Sequence, residues 1–389
     1  MEKFNVGIIG LGCRGSWAVN DILTEREDVN VTFVCDEYED RTEVSKAVVE
    51  KKQGHTPHTS LDWHDVVNSP DVDVVVNCTA WEGHVPISTA AMEAGKPVAM
   101  EVGGAYQLDE CYRLVDTYKK TGIHCMMLEN CCFNREELMV LNMVQQGLFG
   151  KIVACSGGYQ HDLREEITFG RENRHYRLRN YKARNTDNYP THELGPIAKV
   201  LDLGHGNRMK YLVSMATGSW GLNDYARRNE KADPELRDYK FHQGDIVKTL
   251  IMCEGGETVT LTLDTTLPRS YSRGFTVRGT RGAYFEDGDG VFLDGVNNEW
   301  DKSFYNNKQQ FFEKYDHPLW QKGGALDFRG GHGGMDWLVY DEFFRYVRTG
   351  NTPWIDTYDT ASWMSITPLA AKSIENGSAP VEIPDMKER

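Results

Sequence analysis

The chain has 389 residues, with 43 basic and 58 acidic side chains and a net charge of −15. This length allows two or three domains and a large core without disulfides or metals. The acidic balance argues against nucleic acid and anionic membranes as partners, and no apolar run is long enough to span a membrane. Apolar sequence begins near Phe4 without a secretory leader, so we expect a cytoplasmic protein unless a leader was removed. Nine cysteines without C-x-x-C spacing indicate reduced, mostly buried thiols.

The chain opens with an apolar strand, Val6–Ile9, followed by glycines spaced as Gly10-x-Gly12-x-x-Gly15. This order predicts a dinucleotide site: Gly10 permits the tight turn, Gly12 admits a diphosphate, and Gly15 lets the next helix pack closely. The diphosphate would lie on the N–H groups at that helix N-terminus. Asp36 ends the second strand, about 20 residues past Gly15, where a carboxylate binds the ribose diol. Its charge repels a 2′-phosphate and no Arg directly follows it, which favours NAD over NADP.

Apolar and amphipathic segments alternate through roughly the first 125 residues, as in an α/β domain. The predicted strands are Val6–Ile9, Val31–Cys35, Val72–Asn77, Pro97–Met100 and Ile123–Leu128. The predicted helices are Ser16–Thr24, Arg41–Lys52, Asp62–Asn68, His84–Ala94 and Leu108–Thr121. Continuously apolar strands are typical of a sheet covered on both faces, and the alternation implies right-handed crossovers. We therefore expect a Rossmann domain with a doubly wound parallel sheet over residues 1–128.

The pattern changes over residues 129–389, where we expect an α+β domain with an open, mostly antiparallel sheet. A helix is predicted at Arg135–Gln146, and strands at Lys151–Tyr159, Lys210–Gly218, Gly244–Cys253, Glu257–Asp264 and Ser272–Arg278. The stretch 171–188 has no clean period and is interpreted as a long functional loop, and residues 286–334 as irregular. The last two predicted helices, Gly334–Arg348 and Thr357–Asn376, would return to the first domain. An exposed open sheet face favours a homo-oligomer.

Polar side chains follow several predicted strands of the first domain. Thr79-Ala-Trp-Glu-Gly-His84 follows one strand, Glu101-Val102 the next, and Glu129-Asn130 the one after. Because ligands bind at the carboxyl ends of parallel strands, these groups would converge on one crevice. The alternative is that residues 79–84 form an ordinary helix-start loop.

The second domain carries its own candidates. Tyr159, His161 and Asp162 end its first strand, Tyr189-Pro-Thr-His192 opens a helix with Pro190 suited to the first helical position, and Tyr271 follows a strand. A histidine at a helix N-terminus stays neutral more easily, which makes His192 a candidate base. A purely structural role for any single histidine stays open.

Metal binding is not predicted. His55, His58 and His64 are interpreted as a surface loop without acidic companions. His332-Gly-Gly-Met-Asp336 could bind a metal or close a site, but a helix entry with Asp336 in its first turn is the better interpretation. The basic run from Arg171 to Arg184 is either a solvated face or a holder of a polar substrate.

The first domain, Glu101 and the open sheet resemble the Gfo/Idh/MocA family of sugar oxidoreductases. That family has Glu-Lys-Pro where this chain has Glu101-Val102-Gly103, and Val102 cannot act as the lysine that helps deprotonate the hydroxyl. The longer motifs resemble glycoside hydrolase family 109 over nearly the whole chain, and this family's characterised activity is NAD-dependent α-N-acetylgalactosaminidase. Those motifs are Glu129-Asn-Cys-Cys132, Leu141-Asn-Met-Val144, Gln146-Gly-Leu-Phe-Gly150, Gly157-Gly-Tyr-Gln-His-Asp-Leu-Arg-Glu165, Tyr189-Pro-Thr-His192 and His332-Gly-Gly-Met-Asp-Trp337.

The resemblance implies roles for individual residues. NAD would be bound by Arg14, Gly15, Asp36, Trp81, Glu82, Gly83, His84, Glu101, Val102, Asn130 and Tyr189, to which the turn and strand-end motifs add Gly10, Gly12 and Thr79. The sugar would face Tyr159, His161, Arg177, Tyr189, Pro190, Thr191, His192 and Tyr271. The chain departs from the family pattern at Glu193, where Gly is usual, in a shorter loop before Tyr189, and in lacking a twin-arginine leader.

The resemblance also implies a reaction route. A resident NAD would oxidise C3 of an N-acetylgalactosaminide, the C2 proton would be removed as the aglycone leaves, water would add at C1, and the hydride would return. We interpret Tyr159 and His192 as the proton-transfer residues, with Tyr189 and Tyr271 positioning the sugar. Three alternatives remain: direct displacement by a carboxylate pair drawn from Glu101, Glu129, Asp162 and Glu193; a sugar or polyol dehydrogenase; or a non-catalytic NAD- or sugar-binding sensor.

Overall fold

The computed structural model of the chain describes residues 3–300, 302–321 and 331–388. These residues form two units. The first takes the described residues of 1–130 and 323–361, and the second those of 131–322 and 362–389. The first unit is therefore built from two separate stretches of sequence.

A six-stranded parallel sheet forms the centre of the first unit. Its strands are β1 (Phe4–Ile9), β2 (Val29–Cys35), β3 (His58–Ser60), β4 (Val74–Asn77), β5 (Val98–Met100) and β6 (Cys125–Met127). They lie in the order β3-β2-β1-β4-β5-β6, with every pairing parallel. All side chains of β4, β5 and β6 are buried, because helices cover both faces. This confirms the predicted doubly wound parallel sheet.

Five helices follow the strands of this sheet: α1 (Cys13–Asp21), α2 (Glu39–Gln53), α3 (Trp63–Asn68), α4 (Trp81–Glu93) and α5 (Leu108–Thr121). Helix α5 begins with a capping box between Gln107 and Glu110, which satisfies N–H groups at its start. It ends at Gly122, whose φ of 72° is the left-handed conformation that glycine adopts without strain.

The second unit is organised around an eight-stranded sheet. Its strands are β7 (Ile152–Gln160), β8 (Met209–Ala216), β9 (Ile246–Cys253), β10 (Thr258–Asp264), β11 (Thr276–Gly279), β12 (Gly282–Phe285), β13 (Gly290–Leu293) and β14 (Val381–Glu382). The order is β13-β12-β11-β7-β10-β9-β8-β14, with β7 and β10 parallel and the other pairings antiparallel. The prediction of a mostly antiparallel sheet is confirmed.

Burial alternates along β9 and β10, so one face of this sheet is covered and the other is open. The helices before residue 322 in this unit are α6 (Arg135–Gln145), α7 (Arg164–Thr168), α8 (Arg177–Ala183), α9 (Thr191–Val200), α10 (Gly221–Arg228), α11 (Gln309–Tyr315) and α12 (Pro318–Gln321). Among the helices of the described part, none is long and apolar enough to cross a membrane.

Three helices follow residue 334: α13 (Met335–Thr349), α14 (Thr357–Met364) and α15 (Ile366–Glu375). Helix α13 lies in the first unit, where the Tyr346 hydroxyl accepts the His124 N–H at 2.9 Å. Thr357, at the start of α14, accepts the Cys125 N–H at 3.0 Å, next to β6. The predicted single helix Thr357–Asn376 is wrong, since it is divided at Ser365.

Several other expectations of local structure are wrong. The predicted loop 171–188 contains α8, which forms because Leu178 and Tyr181 are buried on one side. The segment 286–334 contains β13, α11 and α12, although its residues 301 and 322–330 lie outside the described part. The supposed acid-free histidine loop is also wrong, because His58 lies 3.5 Å from Asp71 and His64 lies 2.6 Å from Asp62. All nine cysteines are free and most are buried, as predicted.

Candidate active site

The turn between β1 and α1 has the shape that the three glycines predict. Gly10 has a φ of 89°, and a Cβ there would lie 2.6 Å from the Cys78 carbonyl carbon. A Cβ on Gly15 would lie 1.8 Å from the Gly10 oxygen, so the helix packs against the turn only with glycine. By contrast, the nearest described atom to a Cβ on Gly12 is Arg41 Nη1, at 3.7 Å. The surface at Gly12 is therefore open to a ligand that approaches the backbone.

Helix α1 begins at this open surface, and Gly12 gives its N-terminus no side-chain cap. Asp36 holds the turn from the end of β2: its Oδ2 accepts the Leu11 N–H at 2.6 Å and its Oδ1 accepts the Tyr38 N–H at 3.0 Å. Arg41 Nη1 lies 3.6 Å from the same carboxylate. The fold thus brings an arginine to Asp36 that the local sequence did not indicate, and it offsets part of the charge used in the argument against NADP.

The segment after β4 forms a packed wall. The Thr79 hydroxyl donates to Asn77 Oδ1 at 2.7 Å, and His84 Nε2 lies 3.1 Å from the Thr79 carbonyl oxygen. Burial lowers the pKa of His84 to about 4, so its ring is neutral at pH 7. A Cβ on Gly103 would lie 2.4 Å from the Trp81 ring. His84 is therefore an interior side chain that shapes the wall, while Glu82 and Gly83 lie in the first turn of α4.

Charged and amide side chains of the first unit form a connected network. Arg14 Nη2 lies 3.1 Å from Glu101 Oε1 and 3.3 Å from Asp336 Oδ1. Asn130 Nδ2 donates to the same Asp336 oxygen at 2.6 Å, and the buried Val102 donates its N–H to Glu101 Oε2 at 3.2 Å. Asp336 thus joins three residues predicted from three separate strand ends or turns. The sequence favoured a helix entry for this acid and gave closure of a site as the alternative.

The second unit brings together aromatic side chains from β7, α9 and the segment after β10. The Tyr159 ring centroid lies 4.5 Å from that of Tyr189, 5.3 Å from His192 and 6.4 Å from Tyr271. The His161 ring lies 5.1 Å from Tyr271. All five were predicted site residues, and Tyr159 lies at their centre.

Tyr159 and His161 form a polar pair within this group. Tyr159 Oη lies 2.9 Å from His161 Nδ1, which is hydrogen-bonding distance. Burial lowers the pKa of His161, and the positive charge of Arg177 lowers it further. The imidazole is therefore neutral at pH 7. In the tautomer that has its lone pair at Nδ1, the ring accepts a hydrogen bond from the Tyr159 hydroxyl.

Arg177, at the start of α8, is the cation of this cluster. Its guanidinium lies 5.7 Å from the Tyr159 ring centroid and 5.3 Å from that of Tyr189. Glu166 Oε1 accepts from Arg177 Nη1 at 2.7 Å and so holds the buried guanidinium in place. Sequence reasoning missed Glu166, because nothing in the local sequence separates it from the neighbouring Glu165.

The start of α9 places the remaining predicted sugar-site residues. Pro190 is the capping residue before the helix and not its first residue, a small correction to the prediction, and Thr191 is fully buried. Glu193 points into the interior, where its Oε2 lies 3.4 Å from Arg273 Nε. A Cβ on Gly157 would lie 1.8 Å from Glu193 Cγ, so glycine in β7 makes room for this glutamate.

A second acid beside the cluster also escaped prediction. Asp187 is buried and its Oδ1 accepts the Tyr189 N–H at 3.3 Å. Burial raises the pKa of Asp187 to about 7, although the hydrogen bond from Tyr189 opposes this. Its place two residues before Tyr189 gave no sign that the side chain is interior.

Models of known protein families match both parts of the chain. A model of the oxidoreductase family with an NAD-binding Rossmann fold matches residues 4–129, and one of the glycosyl hydrolase 109 C-terminal domain matches residues 133–388. An alpha-N-acetylgalactosaminidase of Shewanella oneidensis is 36% identical over 394 residues, which covers 99% of this chain and 85% of that protein. An alpha-N-acetylgalactosaminidase of Tannerella forsythia is 35% identical over 411 residues, 97% of this chain and 85% of that protein.

Solved structures share the fold at lower identity. Levoglucosan dehydrogenase in complex with NADH and levoglucosan has a TM-score of 0.72 at 17% identity, covering 98% of this chain and all of its own. A scyllo-inositol dehydrogenase from Lactobacillus casei with bound NAD(H) and scyllo-inositol has a TM-score of 0.65 at 14% identity, covering 98% and 99%. These likenesses show the fold alone. The match over residues 133–388 and the relatives at 35–36% identity show that the chain belongs to glycosyl hydrolase family 109.

Proposed function

We propose that the protein is an NAD-dependent glycosidase that acts on N-acetylgalactosaminides and keeps NAD as a resident cofactor. The observation that carries this proposal is the cluster of Tyr159, His161, Tyr189 and His192 around the Arg177 cation. The similarity to alpha-N-acetylgalactosaminidases of Shewanella oneidensis and Tannerella forsythia supports the substrate class.

The first unit fits NAD. Gly10 and Gly15 leave no room for a side chain, whereas the backbone at Gly12 is open to a ligand. A dinucleotide-binding turn requires both features. The residues of this unit that would hold the cofactor are Gly10, Gly12, Arg14, Gly15, Asp36, Thr79, Trp81, Glu82, Gly83, His84, Glu101, Val102 and Asn130. When bound, NAD supplies a hydride acceptor for a sugar carbon and returns the hydride later in the same turnover.

The chain's own residues would handle the protons. Oxidation at C3 needs a base for the hydroxyl, and a C3 ketone makes the C2 proton removable by a second base. A free tyrosine has a pKa of about 10, so forming its anion at pH 7 costs about 4 kcal/mol. The Arg177 cation beside the Tyr159 ring favours the phenolate and so reduces that cost, while His161 Nδ1, 2.9 Å from Tyr159 Oη, orients the hydroxyl. We assign proton transfer to Tyr159 and His192, while Tyr189 and Tyr271 position the sugar.

Two acids considered for direct displacement, Asp162 and Glu193, do not suit that role. Asp162 accepts two hydrogen bonds from Arg164, at 2.8 and 2.7 Å, which lowers its pKa. Glu193 is fully buried beside Arg273. A glycosidase that works by two carboxylates needs one of them to stay protonated as the general acid. An aspartate bound by an arginine and a glutamate in the interior offer no such acid.

One experiment tests the proposal. The purified protein, without added cofactor, is incubated in D₂O with aryl α- and β-N-acetylgalactosaminides. We expect released sugar that carries deuterium at C2, with no net NADH. Release without exchange at C2 would point to direct displacement, net NADH to a sugar dehydrogenase, and binding without turnover to a sensor.

A further inference from the structure

Helix α13 begins with an uncommon turn that carries an acid into the interior of the first unit. His332, Gly333 and Gly334 have φ of 52°, 68° and 102°, a run of left-handed residues that only glycine adopts freely. After this turn the Asp336 side chain is fully buried, while the His332 side chain is 55% exposed. Gly331 completes the turn, since a Cβ there would lie 2.8 Å from the Trp17 ring of α1.

Three donors surround the Asp336 carboxylate. Its Oδ1 accepts from Asn130 Nδ2 at 2.6 Å and lies 3.3 Å from Arg14 Nη2, while its Oδ2 lies 2.6 Å from His332 Nδ1. A buried carboxylate is costly unless it is hydrogen-bonded and paired. Here the carboxylate is stabilised by Asn130, after β6, and Arg14, after Gly12, and both residues are assigned to the NAD site.

Asp336 also decides how Arg14 is placed. The guanidinium is shared between Glu101 and Asp336 and lies 4.6 Å from the Trp17 ring centroid. Without Asp336, Arg14 keeps a single carboxylate partner at Glu101 and loses the contact that fixes its second side. The Asn130 amide loses the acceptor that fixes its orientation.

We propose that Asp336 is a positioning residue of the NAD site: it holds the Arg14 guanidinium and the Asn130 amide in their binding orientation. The proposal rests on the NAD-binding part of the proposed function and is independent of glycosidase activity. The chemistry is that of a hydrogen-bonded acid that orders two ligand-holding groups, as an outer carboxylate does around other binding sites.

The test compares Asp336→Asn with Asp341→Asn on the same helix, where Asp341 is an exposed partner of Arg26 at 3.1 Å. NAD carried through purification is measured per chain, and dissociation constants for NAD and for AMP are measured on protein freed of nucleotide. We expect Asp336→Asn to weaken NAD at least about tenfold, because a charge-assisted contact is lost. AMP, which reports on the Asp36 end, should bind within about twofold of the unmodified protein, and Asp341→Asn should match that protein throughout.

The outcomes separate clearly. NAD binding by Asp336→Asn within about twofold of the unmodified protein overturns the proposal, and so does an equal loss of NAD and AMP, which would mean general damage to the fold. If Asp336→Asn does not fold, His332→Ala decides, because its side chain is exposed and touches Asp336 directly. A weakening of NAD by about threefold or more with AMP unchanged then supports the proposal, and unchanged NAD binding overturns it. None of these outcomes depends on glycosidase activity.

Discussion

Tyr159 is the single residue on which most of the proposed chemistry depends. Its hydroxyl faces a neutral imidazole, and a guanidinium lies 5.7 Å from its ring. The guanidinium favours the phenolate, and the imidazole orients the hydroxyl. Tyr159 therefore has the surroundings that a proton-transfer tyrosine needs.

We predict that Tyr159→Phe lowers kcat by about 10²- to 10⁴-fold, the usual effect of removing a proton-transfer group. The ring packing against Tyr189 and His192 stays, so KM should change by less than about threefold, and bound NAD should not change. The measurement is steady-state kinetics on an aryl N-acetylgalactosaminide together with NAD content. Tyr211→Phe, on the open face of the sheet, is the matched control and should behave as the unmodified protein. A Tyr159→Phe protein with kcat within about fivefold of normal would remove Tyr159 from proton transfer.

The sequence indicated the clustered aromatic residues as candidates because each one follows a strand or opens a helix. It missed the acids that hold Arg177 and Asn130 in place. Glu166 reaches Arg177 across 11 positions, and Asp336 reaches Asn130 across 206. Contacts of this kind depend on tertiary structure and leave no local pattern, whereas strand ends and helix starts do.

At the scale of elements, the β1–turn–α1 unit shows why three glycines are not equivalent. The Gly15 position is closed by the Gly10 oxygen, and the Gly12 position is open. Packing thus requires glycine at Gly15, and we assign Gly12 to the approach of the ligand.

We predict opposite effects for two alanine substitutions in this turn. Gly12→Ala should leave the melting temperature within about 2 °C of normal and weaken NAD binding at least tenfold, because a methyl group occupies the approach to the backbone. Gly15→Ala should destabilise the protein by about 2 kcal/mol or more, since a Cβ 1.8 Å from a carbonyl oxygen forces the helix away. Thermal melts and NAD titrations of both variants provide the check. Loss of stability in Gly12→Ala with unchanged NAD affinity would contradict this assignment.

Several short elements were missed, and their sequences show why. β3 has three residues, His58–Ser60, none of them buried, at the edge of the parallel sheet. β12 and β13 are four residues each, and each begins with a glycine. Helix α8 was missed because basic residues dominate its sequence. Its apolar residues Leu178 and Tyr181 lie on the buried side. In each case neighbouring strands or tertiary burial supply the stability that local sequence does not indicate.

At the scale of the whole molecule, the two units carry buried groups that respond to pH in opposite directions. The first unit contains His84 and His124, whose pKa burial lowers to about 4. An unfolded histidine has a pKa of about 6.5, so the unfolded state takes up protons first as pH falls. The stability that these two histidines contribute is therefore fully present above about pH 6.5 and is lost progressively between there and pH 4.

We predict that the first unit loses about 2 kcal/mol per histidine between pH 7 and pH 5. Hydrogen exchange measured peptide by peptide, corrected for intrinsic rates, reports each unit separately. His124→Asn should reduce the loss, because the acid-sensitive ring is removed, while His64→Ala, at an exposed position, should not. Equal acid sensitivity in His124→Asn and the unmodified protein would contradict the assignment.

The second unit should respond with the opposite sign, because burial raises the pKa of Asp187 to about 7. Here the unfolded carboxyl, with a pKa of about 4, loses its proton before the folded one does. The contribution of Asp187 to stability is therefore most favourable at low pH and falls as pH rises from 4 through 7, by about 3 kcal/mol between pH 5 and pH 8.5. Asp187→Asn removes the titrating group and resembles the protonated acid, so it should stabilise the second unit more at pH 8.5 than at pH 5. Exchange rates in residues 131–321 that follow the same pH course in Asp187→Asn as in the unmodified protein would show that another group controls this unit.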